Sequence, residues 1–214
     1  MGKALNPNMI VPGRRGDYVT YQRLGQWVTR FAGKPERRTN GQLANEMSMA
    51  VTNTLLSPLK DFIKISLKNS PKKKKTWSLY NLAVSLNKPG AITGRFPEIE
   101  VDYSKAIFAV GVIPVPVNHQ VSIADSVVSF TWEADLQTAG CDPTDQVMCI
   151  ILFPEISQGM TVLHGALRAE EKQSIVLPTF TGKLHMETYL CFISGDRESV
   201  SNSVYTGQLV WDKQ

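Results

Sequence analysis

The chain has 214 residues, of which 43% are hydrophobic and 20% charged, as is ordinary for a soluble globular protein of one large or two small domains. Its longest apolar run, Val147–Phe153, is too short to cross a membrane as a helix, and we expect no membrane contact. The N-terminus lacks the apolar core of a signal peptide. We therefore expect synthesis in the cytoplasm, with a virion or another particle as a possible destination.

The charges are unevenly distributed along the chain. Residues 1–105 carry 18 Lys and Arg against 7 Asp and Glu, whereas residues 106–214 carry 5 against 12. The first half thus has a net charge of +11 and the second half −7. This asymmetry indicates two physically distinct parts, and it favours attraction between the front of one copy and the back of another.

Residues 1–38 are predicted to form an extended basic arm with a β-hairpin. Gly and Pro oppose a helix at the start of the chain. Two β-rich segments then flank Leu24-Gly25, a candidate hairpin turn. The arm is too short to build a core, so its aromatic side chains need another surface. We therefore predict that four of them are assembly residues: Tyr18, Tyr21, Trp27 and Phe31.

Two basic clusters are candidates for phosphate contacts, because such runs can bind nucleic acid. A solvated turn and a solvated loop are the alternative interpretations. The absence of an aromatic residue among the lysines weakens a single-strand-binding interpretation of that run. The residues are Arg14, Arg15, Lys72, Lys73, Lys74 and Lys75.

Residues 39–90 are predicted to contain two or three helices. Thr39 and Gln42 have the spacing of a capping box, and apolar residues follow at helical intervals. Ser57-Pro58 interrupts the pattern and is predicted to start a second helix. A third helix is predicted at about Thr76–Leu86.

From residue 91 to residue 214 the hydrophobic period is two, with turn residues between short segments. This pattern predicts an all-β sandwich of the immunoglobulin or fibronectin type, and an α+β fold for the whole chain. Val147–Phe153 is predicted to be its central strand, buried on both faces. Other predicted strands are Ala106–Ile113, Val121–Ile123, Val127–Trp132, Met160–Ala166, Ser174–Leu177, Thr188–Ser194 and Val204–Trp211.

The sequence contains no recognisable catalytic, metal or cofactor pattern, so we predict a protein that is not an enzyme and has no cofactor. The three histidines are far apart along the chain. The acidic segment from Asp135 to Asp145 lacks the residue order of a calcium loop. We expect the cysteines to be reduced: Cys141, Cys149 and Cys191.

An ordered set of short motifs resembles an uncharacterised domain-of-unknown-function family of Bacteroidota proteins. The resemblance covers most of the chain and is most specific at residues 91–105 and 189–210. It implies the architecture of a basic Gly/Arg arm, a helical segment and an immunoglobulin-like sandwich, and no activity. The motifs are Arg37-Arg38-Thr39-x-x-Gln42-Leu43-Ala44, Leu56-x-Pro58-Leu59, Tyr80-Asn81-x-Ala83, Ala91-Ile92-Thr93-Gly94, Asp102-Tyr103-Ser104-Lys105, Phe192-Ile193-Ser194 and Asn202-Ser203-Val204-Tyr205.

The function that these features predict is structural. We expect a homo-oligomer, or a contact with other structural proteins, made through the N-terminal arm, as in phage particles and other shells, rings or sheaths. One alternative is weak nucleic-acid association through the basic half. A carbohydrate-binding sandwich with an aromatic platform is another.

Overall fold

A computed structural model describes residues 2–3, 12–23, 25–33, 37–74 and 76–213. The chain divides into two compact units, Met1–Thr39 and Asn40–Gln214. Their boundary lies one residue beyond the predicted end of the arm. The finer division into 1–38, 39–90 and 91–214 stays a prediction.

The N-terminal unit contains a four-stranded antiparallel sheet of spatial order β1-β4-β3-β2. Its strands are β1 (Gly2–Lys3), β2 (Gly13–Arg15), β3 (Tyr18–Arg23) and β4 (Gln26–Phe31). The predicted hairpin is confirmed, since β3 pairs with β4 and Arg23 lies opposite Gln26. The sequence predicts a looped or extended arm before Asp17, but Gly13–Arg15 pairs with β3 as an additional strand.

The helical segment begins directly after Thr39, where the capping spacing predicts it. Helix α1 (Asn40–Leu56) continues through a 3₁₀ turn at Ser57–Leu59 into α2 (Lys60–Ser66). The two predicted helices on either side of Ser57-Pro58 therefore form one continuous helical stretch, so the described residues contain fewer separate helices than the three located in the sequence. Pro58 lies in the first turn of the 3₁₀ segment, a position at which proline is tolerated.

A shorter helix and a hairpin complete the part of the chain before the main sheets. Helix α3 (Leu79–Asn87) is capped by Ser78, whose side chain accepts a hydrogen bond from the Asn81 N–H at 3.1 Å. The hairpin consists of β5 (Ile92–Arg95) and β6 (Glu98–Val101), and a 3₁₀ turn at Tyr103–Lys105 follows it.

The remaining seven strands form two antiparallel sheets, with the spatial orders β10-β9-β12-β13 and β11-β8-β7. The fold is therefore mostly β with helical segments in its first half. The strands are β7 (Val117–Ala124), β8 (Val127–Glu133), β9 (Gln146–Phe153), β10 (Gln158–Val162), β11 (Lys172–Val176), β12 (Gly182–Ile193) and β13 (Val204–Lys213).

Strand β9 is buried on both faces, as predicted. All seven residues of Val147–Phe153 are at most 4% exposed. Ile150 and Leu152 belong to a core cluster that includes α1 and α2, whereas Cys149 and Ile151 belong to a second cluster that includes β8. Because side chains alternate along a strand, β9 contributes one face to each of the two core clusters.

The predicted strand Ala106–Ile113 is wrong, because the segment does not form a strand, although most of it is buried and only Val112 is exposed. Side chains, in place of a neighbouring strand, form hydrogen bonds with the backbone groups of this segment. Ser203 Oγ accepts from the N–H groups of Phe108 and Ala109 at 3.0 and 3.2 Å. Asn87 exchanges two hydrogen bonds with the backbone of Ile107. Apolar composition therefore predicts the burial of this segment but not its hydrogen-bond partners.

All three cysteines are free thiols, as predicted. Cys149 and Cys191 lie in adjacent strands but in different core clusters, so their side chains point to opposite faces of the sheet. In the described ranges, no helix combines the length and apolar character needed to cross a membrane.

Candidate interaction surface

The N-terminal sheet has a fixed register, and this register determines which side chains share a face. Gly25 adopts φ +76°, a left-handed conformation that glycine reaches without a steric penalty, at the turn between β3 and β4. Tyr18 therefore lies opposite Phe31, and each following pair alternates between the two faces. Directly paired residues of antiparallel strands project to the same side.

One face of this sheet, here called the aromatic face, carries most of its rings. Tyr18 and Phe31 stack with their centroids 4.4 Å apart and are 49% and 65% exposed. A row of small residues, in which the Thr20 and Thr29 hydroxyls are 3.0 Å apart, separates this ring pair from Trp27. The aromatic face comprises Tyr18, Trp27 and Phe31 with Arg15, Thr20, Gln22 and Thr29.

The opposite face, here called the arginine face, carries three guanidinium groups around one ring. Arg14 lies opposite Val19, which in turn lies opposite Arg30. The Arg30 guanidinium carbon is 6.0 Å from the centroid of the Tyr21 ring. The arginine face comprises Arg14, Arg23 and Arg30 with Val19, Tyr21, Gln26 and Val28.

No described residue from 12 to 33 is buried. Each domain normally buries at least one face of every sheet against another layer. A four-stranded sheet with half-exposed rings on one face and arginines on the other has no such core. This surface therefore has the properties of a contact surface for another molecule.

The predicted site residues are divided by this arrangement. Tyr18, Trp27 and Phe31 lie together on the aromatic face, whereas Tyr21 lies on the arginine face. Arg14 and Arg15 are adjacent in sequence, but they project to opposite faces of β2. They consequently do not form a single phosphate site.

The described part of the lysine run lies between α2 and α3. Lys72, Lys73 and Lys74 are exposed. The Lys73 ammonium donates to the Lys68 carbonyl at 3.1 Å, and the Lys74 ammonium lies 4.4 Å from the centroid of the Trp77 ring. Lys75 lies outside the described residues. Two of the lysines thus have local partners, which favours the solvated-loop interpretation of the run.

The carboxylates of the acidic segment bond to residues of the same segment and to one buried arginine. Asp142 accepts from the N–H and the hydroxyl of Thr144 at 2.8 and 2.6 Å. Asp145 accepts from Arg168 Nε at 3.1 Å, and both side chains of this pair are almost fully buried. The described residues include no group of three His, Cys, Asp or Glu that could hold a metal ion.

The other buried carboxylate among the described residues, Glu187, also has hydrogen-bond partners. Its oxygens accept from the Tyr205 hydroxyl and from Gln208 Nε2, each at 2.6 Å. Burial, followed by this hydrogen bond to Glu187, raises the pKa of Tyr205. These groups act as a fixed polar network that joins β12 to β13.

A pocket of about 200 Å³ lies between α1, β6 and the turn after β9. Burial, and then the negative charges of Glu187 and Glu155, raise the pKa of Tyr103 in its wall. The described wall residues include no carboxylate, histidine or cysteine: Val51, Thr54, Leu55, Pro58, Val101, Tyr103, Leu152, Phe153, Pro154, Ser157 and Gln158. The pocket therefore offers mainly apolar surface, with the Tyr103 phenol as the titratable side chain among these residues.

Arg23 and Arg30 form part of this surface, although no local pattern in the sequence predicts it. Neither belongs to a run of basic residues, which was the signal used for the lysine and arginine clusters. The signal that identifies them is the hairpin register, because a two-residue turn at Leu24-Gly25 places Arg30 opposite Val19.

Comparison with protein families gives one match. The DUF6266 family, described as a family of unknown function, matches residues 20–207. The chain belongs to DUF6266. The predicted resemblance to a domain-of-unknown-function family is therefore confirmed. Neither the curated proteins nor the solved structures contain a significant match to this DUF6266 chain.

Proposed function

We propose that this protein is a non-enzymatic assembly protein that joins copies of itself through the aromatic face of its N-terminal sheet. The observation that carries the proposal is that this sheet has no buried residue in its described part from 12 to 33. Burial of exposed rings such as Phe31 contributes about 25 cal/mol per Å² of apolar surface removed from water.

The charge distribution supports a second copy as the partner. Residues 1–39 carry eight Lys and Arg against two Asp and Glu, whereas residues 106–214 have a net charge of −7. Two N-terminal units repel each other, and one N-terminal unit is attracted to the acidic half of another copy. Such a contact is heterologous, and heterologous contacts build rings, sheaths or filaments. Phage particles contain assemblies of this class.

We also propose that β7 to β13 form an immunoglobulin- or fibronectin-like sandwich. The chain changes sheet between β8 and β9, between β10 and β11, and between β11 and β12, as Greek-key connections do. Buried side chains of both sheets, including Phe130 and Ile151, belong to the same core cluster. A rigid sandwich of this kind is a suitable body for an assembly.

The test is the solution mass of the full chain as a function of concentration, measured by light scattering after size exclusion. We expect association that weakens with added salt. Trp27→Ser with Phe31→Ser removes two rings from the aromatic face and should give a monomer. The matched control, Tyr21→Ser, removes a ring from the opposite face and should leave the mass unchanged. A full chain that is monomeric at millimolar concentration contradicts the proposal.

A further inference from the structure

The assembly proposed above places its contact on the aromatic face and uses the arginine face only as part of the net positive charge of the N-terminal unit. Arg14, Arg23 and Arg30 are all exposed. Their side-chain hydrogen bonds within the described residues go to backbone carbonyls, from Arg14 Nε to Gly16 at 3.2 Å and from Arg30 Nη1 to Phe31 at 3.3 Å. Each guanidinium has five N–H donors, so most donors on this face are available to a ligand.

Four cations of the larger unit form ion pairs, whereas others, such as Lys72 and Lys172, form none with a described carboxylate. Lys64, Lys68, Lys105 and Arg168 each lie within 4.0 Å of a carboxylate. None of the three guanidinium groups on the arginine face forms such an ion pair with a described carboxylate. The positive charge of this face is therefore not neutralised by a described carboxylate, and three such charges on one face favour the approach of an anion.

The spacing of the three arginines suits an extended ligand with several negative charges. Arg14 and Arg30 lie in one row across three strands, so their Cα atoms are about 10 Å apart at the usual strand spacing. Arg23 lies four residues along β3 from Val19, about 13 Å away at the strand rise. Tyr21 occupies the space between these rows and presents its ring beside Arg30.

We propose that the arginine face binds a single-stranded nucleic acid, with the three guanidinium groups on phosphates and the Tyr21 ring stacked on a base. Guanidinium groups bind phosphate oxygens in bidentate fashion. An aromatic ring among cations is the arrangement that binds single strands without sequence preference, because every base has a π-face. An acidic protein surface requires the charges but not the ring.

The experiment is fluorescence anisotropy of a labelled oligothymidylate mixed with the full chain over a series of salt concentrations. We expect binding that falls with salt. Changing Arg14, Arg23 and Arg30 together to Gln should reduce the slope of log K against log salt by about 2, since each single-strand phosphate contact contributes about 0.7. Tyr21→Ser should weaken binding about tenfold at an unchanged slope.

Two controls make the result specific to this face. Arg15→Gln removes the same charge from the aromatic face, and Lys72→Gln with Lys73→Gln and Lys74→Gln removes three charges elsewhere; both should leave the slope unchanged. A triple Arg→Lys variant keeps the charges and should retain the slope, which separates a loss of charge from a loss of fold.

Three results overturn the proposal. The first is unchanged binding by the triple Gln variant, and the second is an equal effect of Arg15→Gln. The third is displacement of the oligonucleotide by a polyglutamate peptide at an equal concentration of charges together with no effect of Tyr21→Ser, which identifies an acidic protein as the ligand. Because the aromatic-face variants report on self-association separately, failure here is distinguishable from failure of the assembly.

Discussion

Individual side chains in this protein often satisfy backbone groups that lie outside any sheet or helix. Asn87 is fully buried and bonds the carbonyls of Ala83 and Ile107 through one amide group. Ser66 donates to the carbonyl of Phe108 at 2.6 Å. Such residues carry little signal in a sequence, because Asn and Ser are also the commonest turn residues.

A substitution at Ile150 tests whether the central strand is buried. Ile150→Ala removes three carbons from a fully buried site and should lower the free energy of unfolding by about 2–5 kcal/mol. Val176→Ala is the matched control, since Val176 is 72% exposed, and it should change the free energy by less than about 0.5 kcal/mol. Urea denaturation measures both. Equal effects would contradict the assignment of Ile150 to the core.

Thiol labelling tests the burial of the cysteines. Burial raises the pKa of Cys149 and Cys191, and it also raises the pKa of the partly exposed Cys141. The thiolate is the reactive form, so native protein should react only at Cys141, and the rate should still be rising with pH above 9, the ordinary thiol pKa. Mass spectrometry of maleimide-treated protein identifies the site. Labelling of Cys149 before unfolding would contradict this packing.

The buried pair of Asp145 and Arg168 tests an electrostatic contribution to stability. Asp145→Ala leaves the Arg168 guanidinium buried without its carboxylate, and such a change costs about 3–5 kcal/mol. Asp142→Ala removes an exposed carboxylate from the same segment and is the control. Thermal unfolding compares the two, and a smaller loss for Asp145→Ala than for Asp142→Ala would contradict the pair's role.

At the scale of elements, the segment Ala106–Ile113 shows how a buried chain is held without a ladder. Gly111 packs against the Val200 carbonyl so closely that a Cβ atom would lie 1.9 Å from that oxygen. Ile113 donates to the same carbonyl at 3.0 Å. The contacts come from a segment about 90 residues later in the chain, which no local sequence window includes.

A substitution at Ser203 tests whether side chains hold the segment Ala106–Ile113 in place. Ser203→Ala removes the acceptor for the Phe108 and Ala109 N–H groups and should lower stability by about 1–3 kcal/mol, the cost of unsatisfied buried donors. Ser174→Ala, on the exposed side of β11, is the control and should have little effect. Hydrogen exchange should also show faster exchange at Phe108 and Ala109 in the Ser203 variant. Unchanged protection there would contradict the role of this hydroxyl.

The sequence predicts elements well where one local signal is sufficient. Val147–Phe153 is identifiable because a strand buried on both faces needs an unbroken apolar run, and the hairpin because of Leu24-Gly25. The same apolar signal wrongly predicts a strand at Ala106–Ile113. The arginine face could be predicted only in part, because Arg14, Arg23 and Arg30 are distant in sequence and become neighbours through strand pairing.

At the scale of the whole molecule, the division into two compact units predicts that the larger unit is stable without the N-terminal unit. Both core clusters belong to Asn40–Gln214. A chain that starts at Arg37 should therefore be a folded monomer, with the same urea midpoint as the full chain measured at a concentration where it does not associate. Sedimentation and urea denaturation check the two expectations. A large loss of stability would show that the N-terminal sheet contributes to the larger unit's core.

Strand β9 has a consequence for how this sequence can vary. A strand at a protein surface alternates between a more buried and an exposed side, as β11 does with Gln173 and Ile175 half-buried and Lys172, Ser174 and Val176 exposed. Such strands accept polar substitutions at every second position. Strand β9 has no exposed side from Val147 to Phe153, so a saturation mutagenesis screen should find seven consecutive intolerant positions there. Because each substitution disturbs one of two cores, a compensating change is expected within the cluster that includes the helices for Ile150 and within the cluster that includes β8 for Ile151.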